Sequence, residues 1–186
     1  VSPVQQKKVI GDPYYFDYDW QEGSVHFSDH LYENVSLRYD LLKDKLLLEF
    51  SQGYESIELI TNRIKYFVIH DHTFVRLSST DKSTMQEGFY DLLYDGKSKV
   101  MVKRYKVIKE ITDEGIMTVE YIDKRKLFLQ QSGRFIPIRV KRDALNAFAA
   151  NKTELRKFLT RENIHFKSDP ETTLAAMATF NDQLQK

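Results

Sequence analysis

Few residues in this 186-residue chain are able to do chemistry, and their spacing narrows what that chemistry is. Cysteine is absent, which removes thiol nucleophiles, disulfides, Fe–S clusters and Cys-based zinc sites. His26 and His30 are four apart, a metal-ligand spacing on a helix. Ser24–Ser28 reads as a strand followed by a turn, so these two rings are not expected to converge. His70-Asp71-His72 offers two imidazoles on one side of an extended segment with a carboxylate beside them. A metal there needs a third ligand and supporting partners, and the expected role of the tripeptide is a polar hairpin turn. Asp17 and Asp19 share one face of an extended segment while Phe16, Tyr18 and Trp20 share the other. Carboxylates beside aromatic rings are what glycosidases and sugar-binding clefts use. No Gly-x-Ser-x-Gly elbow and no glycine-rich phosphate loop occurs. The residues therefore assign no catalytic group, no metal site and no cofactor.

The N-terminal aromatic run is the strongest candidate for binding. Tyr14, Tyr15, Phe16, Tyr18 and Trp20 place five rings within seven residues, more than one strand face can bury. Some of them must lie at the surface or against a neighbouring element. Tyr and Trp tolerate half-burial, because each combines a large apolar body with a polar end. Tyr14, Tyr15, Tyr18 and Trp20 are accordingly expected to line or lid a ligand cleft. The competing outcome is a hydrophobic plug closing one end of a sheet.

The elements that must position these residues follow from periodicity. Leu, Ile, Val and Phe make up 54 of the 186 residues, enough apolar material for a packed core. From Ser24 to Ile138 apolar and polar residues alternate in strand-length pieces rich in β-branched and aromatic side chains. Turn signals separate them at Asp29-His30, Lys43-Asp44, Gln52-Gly53, Asp95-Gly96 and Ser132-Gly133. Asp95-Gly96 is expected to form a type I′ hairpin turn with both residues at positive φ. After Pro137 the period becomes helical. Ala144, Leu145, Phe148 and Ala149 mark a first helix, Leu155, Phe158 and Leu159 a second, and Leu174, Met177, Ala178 and Leu184 a third. Ser168 is the expected N-cap of the third, with Glu171 reaching back.

The resulting fold class is α+β: a mainly antiparallel β meander, an open sheet or partly closed barrel, with a C-terminal helical segment packed on it. Residues 1–186 read as a single domain, with an aromatic and acidic lead-in over 1–23, a β-rich stretch over 24–138 and a helical stretch over 139–186. No apolar run approaches the ~20 residues needed to cross a bilayer as a helix, so the chain is not expected to be transmembrane.

Formal net charge is +1, but it is unevenly spread. Residues 1–94 carry 9 basic and 15 acidic side chains, and residues 95–167 carry 18 and 9. Aromatics interleave with the basic residues at Lys103-Arg104-Tyr105-Lys106 and Lys124-Arg125-Lys126. They alternate as half-buried strands require, and the acidic first half cancels most of the far field. Nucleic-acid binding is therefore not expected.

Three segments carry a resemblance. Gly11-Asp-Pro-Tyr-Tyr-Phe, Trp20-Gln-Glu-Gly23-Ser-Val25 and Leu31-Tyr32-Glu-Asn34-Val35-Ser-Leu37-Arg-Tyr39-Asp40 are similar to a family of uncharacterised exported proteins of Bacteroidota-type bacteria. Gly88-Phe89-Tyr90 and Asp95-Gly96-Lys97 resemble that family's hairpin. The resemblance implies a periplasmic or cell-envelope location and carries no catalytic residue with it. A removed export signal and a trimmed fragment would each give a chain beginning at Val1. The function expected from these readings is a non-enzymatic binding or interaction module of the cell envelope, with an unknown ligand or envelope protein as partner. The alternative is a hydrolase of glycans or phosphoesters built on Asp17, Asp19, His70 and His72.

Overall fold

Two-residue turns set many of the strand boundaries. Ser28-Asp29, Glu114-Gly115 and Ser132-Gly133 each hold both residues at positive φ, and His70 (φ 53°) opens a fourth turn with Asp71. Such turns match the right-handed twist of the strands they join. The computed structural model describes residues 6–50, 55–78 and 85–185, and the expected turn at Gln52-Gly53 lies outside them. Eleven strands are seen among the described residues: β1 (Gln6–Ile10), β2 (Gln21–Phe27), β3 (His30–Asp40), β4 (Lys45–Phe50), β5 (Glu55–Glu58), β6 (Ile64–Ile69), β7 (His72–Leu77), β8 (Gly88–Asp95), β9 (Lys99–Asp113), β10 (Ile116–Gln131) and β11 (Arg134–Ile138). Helices α1 (Lys141–Ala147), α2 (Lys152–Arg161) and α3 (Pro170–Leu184) follow. Among the described residues strand outweighs helix by 53% to 22%, a mainly antiparallel α+β fold with a C-terminal helical segment. The sheet is open and mixed, because β1 joins β10 in parallel from Gln6↔Ile116 to Ile10↔Glu120.

The chain divides into two compact units, Val1–Asp71 with Arg104–Lys124, and His72–Lys103 with Arg125–Lys186. In the first, β5-β4-β3-β2-β6 form an antiparallel array, and β1 lies on the outer half of the β9–β10 hairpin. Its core holds Val25, Leu37, Tyr39, Leu46, Ile64, Phe67 and Ile69, all buried. Tyr39 and Phe67 meet edge to face at 5.1 Å. β1 falls in the lead-in, where Lys7-Lys8-Val9-Ile10 is too short and too polar to show an alternating pattern.

In the second unit the period of two is visible in the packing. Val100, Val102, Leu127 and Leu129 face Leu145, Phe148, Leu155, Leu159, Leu174 and Met177 of the helices. The intervening Met101 and Phe128 join Tyr90 in a separate buried cluster. Strand residues at i and i+2 thus serve one core and those at i+1 another.

Two local expectations are corrected. The β8–β9 connection is a three-residue loop, Gly96–Ser98, with Asp95 paired to Lys99, and neither Asp95 nor Gly96 has positive φ. Gly96 is required for space instead. A Cβ there would lie 2.3 Å from the Tyr94 hydroxyl and 2.6 Å from the Asp182 carboxylate. At the start of α3 the cap is Asp169, not Ser168. Asp169 accepts the Thr172 N–H at 3.1 Å, ahead of Pro170 in the first turn. Proline lacks an N–H and presets φ for the first helical turn, which fixes the cap one residue later than the sequence pattern suggested. Glu171 is then released to pair with Arg125 at 2.7 Å.

Candidate functional site

The aromatic lead-in is folded by its own acidic residues. Asp12 accepts the Tyr14 N–H at 2.7 Å, and Asp17 accepts the Asp19 N–H at 2.8 Å. These side-chain turns replace the extended segment expected from the alternation, so Asp17 and Asp19 do not share a strand face. The backbone is tied to the end of β3, since Tyr15 N–H donates to Tyr39 C=O at 2.9 Å and Leu41 N–H to Pro13 C=O at 2.8 Å. A buried lysine secures the segment further. Lys106 Nζ donates to the Asp12 carbonyl at 3.0 Å and lies 3.7 Å from the carboxylates of both Asp12 and Asp123.

Held this way, two of the rings pack on one cation. The Arg38 guanidinium, delivered by β3, lies 4.1 Å from the Trp20 ring centroid and 4.8 Å from that of Tyr14. Tyr18 meets Tyr14 edge-on at 5.4 Å. On the neighbouring side Phe16 packs between Tyr15 (4.5 Å) and His70 (4.8 Å), and Arg104 lies over Tyr15 at 5.6 Å. Tyr14, Tyr15 and Trp20 are half-buried, whereas Phe16 is 42% and Tyr18 57% exposed. Arg38 Nε is enclosed and has no hydrogen-bond partner. Tyr14, Tyr18 and Trp20 are thus linked through Arg38 and ring contact, whereas Tyr15 packs with Phe16 and Arg104. No protein-family model matches the chain, and comparisons with curated proteins and with solved structures return no match.

The arrangement offers flat apolar faces, a cation held by stacking, and carboxylates at its edge. Such a surface suits a polar ligand with apolar faces, because ring stacking supplies contact area and the guanidinium supplies donors. Arg38 was missed by sequence reading, since it occupies an ordinary polar position in an alternating strand. Nothing local ties it to Trp20, eighteen positions earlier.

The histidines are dispersed. His70 Nε2 meets Gln21 Oε1 at 2.7 Å, whereas His72 Nδ1 meets the buried Asp91 carboxylate at 2.7 Å. His26 lies beside Tyr66, and His30 contacts the Ser28 carbonyl. Among the described residues no group of three or more His, Asp or Glu side chains is arranged to hold a metal ion. No helix among them is long and apolar enough to cross a membrane.

Much of the basic charge between residues 95 and 167 is already engaged. Lys103 donates to the Phe89 carbonyl, Lys106 sits between two aspartates, and Lys99, Arg125, Lys157 and Arg161 each pair with a carboxylate. A short DNA duplex is therefore expected not to bind at about 150 mM salt. Fluorescence anisotropy checks this, and tight binding that weakens steeply with added salt would contradict it.

Proposed function

We propose that the protein is a non-enzymatic binding module of the cell envelope that holds glycans on the platform of Tyr14, Tyr15, Tyr18 and Trp20 around Arg38. The observation that carries this reading is the exposure of Tyr18 against Tyr14, one of the two rings that pack on the Arg38 guanidinium. Rings serving only as a core plug would be covered. Sugar rings present C–H faces to aromatics and hydroxyls to arginine donors, and Asp17 and Asp19 add acceptors at the edge. The envelope location rests on the motif resemblance alone.

Trp20 is the sole tryptophan, so intrinsic tryptophan fluorescence reports on this platform directly. Titration with neutral and acidic oligosaccharides is expected to change that emission saturably, and Arg38→Gln or Tyr18→Ala to weaken binding at least about tenfold. Trp20→Ala is expected to cost only about 1 kcal/mol in a denaturation experiment, because the ring is half-buried against a cation. It should nevertheless abolish binding in calorimetry. Emission that no oligosaccharide alters, or a loss near the ~3 kcal/mol of a core aromatic, would overturn the reading.

A further inference from the structure

A second concave feature of the first unit is independent of the platform. Val25 and Phe27 of β2, Tyr32 and Val35 of β3, Leu48 of β4, and Leu59 line an open cavity of about 220 Å³. All are apolar side chains except for the Tyr32 hydroxyl, and Tyr32 is 48% exposed. Water entering such a space finds almost no polar partners, so an apolar occupant is favoured there. A cavity of ~150 Å³ accepts the six carbons of benzene, so this one takes an apolar group of about eight carbons.

One cation packs on a lining residue. The Arg63 guanidinium lies 4.9 Å from the centroid of Phe27, a lining residue. Arg63 is exposed, and among the described residues no carboxylate pairs with it. The backbone ties Arg63 to the end of β2, since Ser28, which follows Phe27, donates its N–H to the Arg63 carbonyl at 2.9 Å. An apolar slot beside an exposed guanidinium suits a ligand with an apolar tail and an anionic head.

We infer that this cavity binds an anionic amphiphile, a carboxylate with an apolar tail of about eight carbons, tail inward and head on Arg63. The tail covers Val25, Val35, Leu48 and Leu59. The head exchanges water for a charge-assisted hydrogen bond from the guanidinium.

The test uses the intact chain with ¹³C-labelled Val and Leu methyls and two probes, octanoate and octanol. Octanoate is expected to shift the methyls of Val25, Val35, Leu48 and Leu59 saturably while leaving Leu127 and Leu129 unmoved. Arg63→Gln, an exposed substitution, is expected to weaken octanoate about tenfold and to leave octanol unchanged. Val35→Phe fills the slot and is expected to remove both responses. Trp20 emission should not respond, which separates this result from the fate of the glycan platform. Three outcomes would overturn the inference. They are no saturable shift with octanoate, an equal loss for both probes in Arg63→Gln, and retained binding in a folded Val35→Phe.

Discussion

Gly23→Ala is expected to destabilise the protein by about 3 kcal/mol or more, the upper range for forcing extra volume into a packed site. A Cβ at Gly23 would lie 2.2 Å from the Val68 carbonyl oxygen and 3.3 Å from its carbonyl carbon. These are backbone atoms of β6, so no side-chain rotation relieves the overlap. Gly23 also pairs with Val35 on one side and Ile69 on the other, beside a register shift between Gly23 and Val25. Relief therefore requires β2 to part from β6, and Val25, which covers the core two residues on, moves with it. Chemical denaturation measures the loss. Gly133→Ala is the control, since its Cβ meets nothing within 4 Å and only its φ of +76° is strained. It should cost about 1 kcal/mol. Equal effects at the two positions would show that steric approach to β6 is not what requires Gly23.

Asp182→Ala is the second large expected loss, again about 3 kcal/mol. Asp182 lies on α3 and is only 6% exposed. Its carboxylate accepts the Ser98 N–H at 3.0 Å, the Ser98 hydroxyl at 2.9 Å and the Tyr94 hydroxyl at 3.1 Å. Removing it leaves three donors without their acceptor, and a buried unmatched donor costs more than a made bond contributes. The same contacts give the pH dependence its sign. Burial by itself raises the Asp182 pKa, but the bonds from Ser98 and Tyr94 outweigh it and hold the group below the ordinary carboxylate value. A carboxylate depressed in the folded state stabilises fully above its unfolded pKa of about 3.9 and loses that contribution as pH falls through the folded value. Tyr94 behaves oppositely. Burial first, and then the bond to Asp182, raise its pKa, so its contribution is lost as pH rises beyond the ordinary tyrosine value of about 10. Denaturation at several pH values should show the acid-side loss shallower in Asp182→Asn than in the parent chain. Parallel profiles would contradict the assignment. Gly96→Ala, whose Cβ would press on this same carboxylate and on the Tyr94 hydroxyl, should cost less in the Asp182→Ala background than alone.

This network also shows where the sequence stops being informative. The apolar runs Val100-Met101-Val102 and Leu127-Phe128-Leu129 mark strands in the sequence, but, being apolar on both faces, they do not say which core each face serves. The helical faces of Leu155 with Leu159 and of Leu174 with Met177 and Ala178 are legible, because side-chain period is a local property. Asp95-Gly96 misleads because its loop is shaped by a carboxylate on Asp182, 84 positions from Ser98. The four consecutive charges Asp123-Lys124-Arg125-Lys126 leave β10 unbroken, since exposed charges leave backbone pairing intact. At the platform the rings were visible as composition. Their cation was not, because Arg38 reaches them only through the turned path of residues 12–20.

The strands β9 and β10 each contribute their inner half to one unit and their outer half to the other, and the chain passes between units at 71/72, 103/104 and 124/125. The first unit therefore corresponds to no uninterrupted stretch of coding sequence, and the second to none that omits residues 104–124. Recombination that exchanges contiguous segments cannot transfer the first without carrying part of the second. A segment that carries all of the first unit, residues 1–124, brings β7, β8 and the start of β9 with it and leaves the three helices behind.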